Sequence, residues 1–250
     1  MLMTIFFTML MMGLILGFVG AGGSGFIIAL LVTLFHIPVH TALGTSIAAM
    51  VFTMLSGSIS HMREKNTVFS VGLAVGLFGA IGAYSGSFAA RLIPEDKLVW
   101  FTAMMLFLSG ILIWARTRVT ISSRPLLTSI RSPHFWLMAA ISGLITGGMS
   151  GVFGIGSTPF IQLALMILFH MPMRLAVGTT MLVIMPIALF GGFGYFQAGY
   201  IDWSLLLQVV AGTMIGSYIG AKFTARAPKA LLRFAMIGTP IIGSIIMMLR

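Results

Sequence analysis

Two short runs decide how this chain folds: Gly20-Ala21-Gly22-Gly23-Ser24-Gly25 and Gly154-Ile155-Gly156-Ser157-Thr158-Pro159. Each interrupts a long apolar stretch, residues 4–35 and 134–169. A glycine costs a helix about 1 kcal/mol relative to alanine, so clustered glycines end it. Pro159 suits the first position of a new helix, with Ser157 or Thr158 as its cap. Each long stretch therefore reads as two half-helices meeting at a break.

The breaks are themselves a repeat. Shifting the chain by 134 residues aligns 13–116 with 147–250 without a gap and gives 27 identities in 104 positions, where about 8 would arise by chance. Phe35-His36-Ile37-Pro38 answers Phe169-His170-Met171-Pro172, and Ala42-Leu43-Gly44-Thr45-Ser46 answers Ala176-Val177-Gly178-Thr179-Thr180. Gly82, Tyr84 and Gly86 answer Gly216, Tyr218 and Gly220. The chain divides into a first repeat, 1–116, a basic linker, 117–133, and a second repeat, 134–250. After its broken element each repeat has three more apolar stretches: 41–61, 67–90 and 97–115 in the first, 174–196, 202–223 and 230–249 in the second.

Composition says what these stretches face. Of 250 residues 59% are hydrophobic and 7% charged, against about 25% charged in soluble domains. Most of the charge-free stretches reach the roughly 17–25 apolar residues that cross a bilayer. This predicts an all-α polytopic membrane protein and excludes a soluble enzyme. The net charge of +10 sits in short segments between apolar stretches, as in cytoplasmic loops, so it does not predict a nucleic-acid partner. There is no cysteine, hence no disulfide or thiolate chemistry. Met1-Leu2-Met3-Thr4 lacks a basic region and a cleavage signal follows nowhere, so the N-terminus reads as mature protein.

Does each broken element cross once or turn back? If it crosses once, the 14 basic residues divide seven and seven between the two faces. If it is a hairpin, the repeats are inverted. Then Arg63, Lys65, Arg116, Arg118, Arg124, Arg131, Arg174, Lys222, Arg226, Lys229 and Arg233 share one face, against Arg91, Lys97 and Arg250. Cytoplasmic faces are enriched in Lys and Arg. The expectation is two inverted repeats, each a hairpin plus three transmembrane helices, with a cytoplasmic central linker.

Inverted repeats with broken helices are a transporter plan whose substrate site lies where the breaks meet. The second half-helix of each hairpin begins at the break and turns free N–H groups and a positive dipole end into the protein. Two such ends suit a small anion. Candidate binding residues are Gly20, Gly22, Gly23, Ser24 and Gly25 at the first break and Gly154, Gly156, Ser157 and Thr158 at the second. Close helix packing through small residues is the alternative use of these glycines.

The Gly-rich breaks, the Pro-containing turns, the Gly44-Thr45-Ser46 and Gly178-Thr179-Thr180 runs, and the Gly82/Gly86 and Gly216/Gly220 pairs together resemble the sulfite exporter TauE/SafE family. The resemblance covers essentially the whole chain. It implies a cytoplasmic-membrane transporter that exports small sulfur-containing anions of the sulfite or organosulfonate class. The second break departs from a plain Gly-Gly pair. An anion channel, or a transporter of another small anionic metabolite, is the alternative.

Thr45, Ser46, Thr179 and Thr180 either line the pathway, as the resemblance favours, or bond the carbonyl four residues back. Tyr84 and Tyr218 need hydroxyl partners inside a membrane. His36 and His170 precede the prolines of the post-hairpin turns and read as interfacial residues rather than proton carriers. Glu64, Glu95, Asp96 and Asp202 all fall in loops, leaving no intramembrane carboxylate as relay or sodium ligand. The 21 methionines lack ligand-like spacing and read as packing. No metal or cofactor is expected. There is neither a Gly-Lys-Ser/Thr loop nor a βαβ setting for a dinucleotide motif, and no acid–base constellation for an enzyme. Besides the anion and membrane lipid, the glycine faces would suit a homodimer.

Overall fold

In the computed structural model, residues 2–19, 24–118, 132–154, 157–224 and 226–248 are described. Their helices are α1 Leu2–Val19, α2 Ser24–Thr33, α3 Val39–Arg63, α4 Phe69–Ala90, α5 Glu95–Arg118, α6 Pro133–Phe153, α7 Thr158–Ile167, α8 Met173–Gln197, α9 Trp203–Thr224 and α10 Lys229–Met248. The described residues contain no strand. Seven helices (α3, α4, α5, α6, α8, α9 and α10) are long and apolar enough to cross a membrane. Large apolar side chains such as Trp100, Leu207 and Phe234 point outward, where water would penalise them and acyl chains would not. The protein is a multi-pass membrane protein. Residues 119–131, which hold most of the expected linker with Arg124 and Arg131, lie outside the described residues, as does Arg250.

Both long apolar stretches are two helices rather than one. The first parts between Val19 and Ser24, the second between Phe153 and Thr158. Each short second helix ends the same way. Ile37 N–H bonds the Leu31 carbonyl and Met171 N–H the Leu165 carbonyl, while His36 and His170 take left-handed φ of 53° and 51°. A left-handed residue at a helix end is normally glycine. Pro38 and Pro172 then start α3 and α8.

Close backbone approaches fix the helix directions. A Cβ on Gly13 would meet Thr213 at 2.6 Å, and Gly17 lies against Ser217, so α1 and α9 run the same way. Gly143 lies against Val75 and Gly79, and Gly151 against Ala83 and Ser87, so α4 and α6 do too. Helix α3 follows α9, with Thr53 at Thr213 (2.7 Å) and Ser60 at the Tyr218 carbonyl (3.1 Å). Helix α4 follows α8, with Gly72 at Leu182 and Gly79 at Ile187. Between α3 and α8 the order reverses: Gly44 meets Tyr200 and Gly178 meets Asn66. Thus α1, α3 and α9 point one way and α4, α6 and α8 the other.

Without a hydrophobic drive between helices in lipid, small residues that admit backbone contact hold such bundles together. The Gly82/Gly86 and Gly216/Gly220 pairs serve this end. The first packs on Leu144 and Gly148 of α6, the second on Leu10 and Leu14 of α1. These faces are thereby occupied inside the chain rather than offered to a second copy.

Candidate functional site

The two breaks line one cavity. Gly25, in the first turn of α2, lines one side of it, Thr158, Pro159 and Gln162 come from α7, and Thr239 and Pro240 of α10 close it. Gly20, Gly22, Gly23 and Gly156 lie outside the described residues. Ser24 is the first residue of α2. At the second break Gly154 ends α6 with φ 67°, and its N–H bonds the Ser150 carbonyl at 2.9 Å. A side chain there would also run into Leu43. Ser157 occupies the N-cap of α7, yet with φ 46° its hydroxyl makes no cap hydrogen bond. That hydroxyl is buried and has no partner among the described residues. Thr158 is buried beside it.

A helix that stops inside a membrane strands its last carbonyls where water cannot reach them. In α1 three side chains from three helices meet them. His61 Nε2 of α3 donates to the Gly17 carbonyl (3.2 Å), Thr224 Oγ1 of α9 to Phe18 (2.7 Å), and Gln162 Nε2 of α7 to Val19 (3.0 Å). In α6 the Tyr195 hydroxyl donates to the Gly151 carbonyl (3.1 Å) and Thr102 Oγ1 to Phe153 (3.3 Å). Gly17 and Gly151, and likewise His61 and Tyr195, correspond under the 134-residue shift. These bonds cover carbonyls at the ends of α1 and α6, while α2 and α7 begin beside the cavity with the positive ends of their dipoles. The sequence reading missed these capping residues. Gln162, an amide in the apolar run of α7, was the visible signal.

Thr45, Ser46, Thr179 and Thr180 are not among the residues that line this cavity. Thr45 Oγ1 accepts from Asp202 N–H (3.2 Å) and Thr179 Oγ1 from Val68 N–H (2.9 Å). These mirrored bonds tie α3 to the start of α9 and α8 to the start of α4. Thr180 bonds the Ala176 carbonyl four residues back at 2.7 Å. The Ser46 hydroxyl is buried without a partner among the described residues. The tyrosines are paired in mirrored fashion as well, Tyr84 with Gln197 (3.4 Å) and Tyr218 with Arg63 (2.7 Å). His36 and His170 are exposed. Asp202 caps α9 through the Leu205 N–H at 3.0 Å. Among the described residues no cluster of three His, Cys, Asp or Glu could hold a metal.

Residues 5–247 match the family model described as sulfite exporter TauE/SafE. The chain belongs to the TauE/SafE family. It is 50% identical over 246 residues to the probable membrane transporter protein YdhB of Bacillus subtilis (strain 168), covering 98% of this chain and 100% of that one. A second B. subtilis relative, the probable membrane transporter protein YunE, is 26% identical over 238 residues, covering 86% of this chain and 87% of its own. A probable membrane transporter protein of Xylella fastidiosa (strain 9a5c) is 26% identical over 227 residues, covering 89% and 85%. No solved structure matches the chain. It is a membrane transporter of the TauE/SafE family, with its two helix breaks at a common cavity.

Proposed function

We propose that this TauE/SafE transporter exports a small sulfur-containing anion, of the sulfite or organosulfonate class, across the cytoplasmic membrane, binding it between the two helix breaks. The observation that carries the reading is the cavity shared by the starts of α2 and α7; Ser157, next to the lining residue Thr158 in the chain, has a buried hydroxyl without a partner among the described residues. An oxyanion in a dry site needs several donors, and lysine or arginine inside lipid is costly. First-turn backbone N–H groups supply donors without a buried cation. In α7 Phe160 offers such an N–H, since Pro159 has none. The exposed ends of the two helix dipoles add the same sign of potential.

The two halves act in this reading as an inverted pair, 1–116 and 134–250, around a cytoplasmic linker. Supporting it, α1 and α3 point the same way, so α2 and the following turn return the chain between them. The counterparts α6 and α8 point the opposite way. Thr45 and Thr179 hold the scaffold, and Ser157 and Thr158 face the substrate.

The test is radiolabelled sulfite flux in proteoliposomes, with thiosulfate, sulfate, small sulfonates and an amino acid as competitors. Saturable flux inhibited by sulfur oxyanions is expected. Gly23→Leu and Gly156→Leu should abolish it in protein that still reaches the membrane. Normal flux in both variants would remove the site, and competition by the amino acid alone would change the substrate class. Flux that fails to saturate would favour a channel.

A further inference from the structure

We propose that His61 is a proton-binding site that couples pH to the passage of the anion. His61 is fully buried near the end of α3. Its Nε2–H holds the Gly17 carbonyl at 3.2 Å, three residues before the first break, while Nδ1 is enclosed and has no partner among the described residues. In this conformation the imidazole is neutral, with its proton on Nε2. A second proton at Nδ1 would place a buried cationic N–H where no acceptor among the described residues meets it. Taking up a proton therefore favours another placement of His61 against α1. The last turn of α1 runs directly into the break, so that displacement reaches the anion site described under Proposed function, on which this inference rests.

The surroundings leave His61 as the group to titrate. Helix α1 carries no ionisable side chain. From α9, Tyr218 receives Arg63 and lies under Lys222, whose Nζ is 4.7 Å from its ring. From α8, Arg174 donates to the Ala227 carbonyl. Glu64 and Lys65 follow in the turn. The counterpart in the second repeat, Tyr195, makes the same carbonyl bond with a phenol, which does not change charge near neutral pH. The duplication thus keeps the brace in both halves and a titratable ring in one.

Wild-type sulfite flux in proteoliposomes, compared at equal sulfite dianion concentration because sulfite itself titrates near neutrality, should change by roughly tenfold between about pH 4.5 and 7.5. Labelling of a cysteine placed at Ser24, beside the first break, should follow the same profile without any anion once the rate is divided by the thiolate fraction, which itself rises with pH. His61→Gln and His61→Tyr, the latter borrowing the other half's solution, should each flatten both profiles. Tyr195→Phe should preserve their shape. Profiles that persist in either His61 variant, or wild-type profiles that are flat, would overturn the proposal. If the labelling profile depends on His61 but no sulfite moves, the proton site stands and the substrate reading falls. If sulfite moves with a profile indifferent to His61, the substrate reading stands and the proton site falls.

Discussion

Gln162 crosses from α7 to the final carbonyl of α1, joining the tips of two elements that lie far apart in sequence. Replacing it with leucine keeps the bulk but leaves a buried carbonyl without its donor, which costs about 1–3 kcal/mol. Gln162→Leu should therefore lower the melting temperature in detergent by several degrees, and an unchanged value would show that the bond contributes nothing. Ser157 sits at the other extreme, with a buried hydroxyl that has no partner among the described residues. Removing a hydrogen bond to a charged ligand costs about 1.5–3 kcal/mol. Ser157→Ala should raise the half-saturating sulfite concentration by roughly 10–150-fold while leaving stability nearly intact. Equal half-saturation in the two proteins would take Ser157 out of the site.

At the scale of elements, glycine divides into two kinds. Gly147 of α6 lies against the backbone of Gly79, whose atoms cannot yield, whereas a Cβ at Gly238 of α10 would meet nothing within 4 Å. Gly147→Leu should prevent accumulation of folded protein. Gly238→Ala should stabilise it by up to about 1 kcal/mol through helix propensity alone. Unfolding of purified variants separates the cases, and similar behaviour of both would undo the packing argument. These helices were legible in the sequence because charge and glycine punctuate it. Arg63 to Lys65, Arg91 to Lys97 and Arg226 to Lys229 mark turns, and the clustered glycines at 20–25 mark a break. The convergence of the breaks on a common cavity was inferable from the duplication. The caps on α1 were not, because His61, Gln162 and Thr224 come from three helices whose neighbourhood no local pattern encodes. The partners of the threonines in the Gly-Thr runs were hidden for the same reason. A hydroxyl one turn into a helix looks alike whether it lines a cavity or, as at Thr45 and Thr179, receives a distant N–H.

For the whole molecule, the directions of α1, α3, α4, α6, α8 and α9 make topology the decisive measurement. His36 and His170 are exposed, equivalent in the repeat, and placed in matching turns. Single cysteines there should react with an impermeant thiol reagent from opposite faces of the membrane, and labelling of both from outside intact cells would reject the inverted arrangement. The same architecture bears on how the protein is made. Helix α1 lays Gly13 and Gly17 against α9, which begins only at Trp203. At the roughly 5–20 residues per second of synthesis, the ribosome works for some ten seconds or more before that partner exists. Until then the first helices wait in the bilayer with their closest-fitting surfaces against lipid, and neither half can be finished alone. Maturation thus begins near the end of translation, and the nascent first half is a natural client for whatever shelters unpaired helices at the insertion machinery.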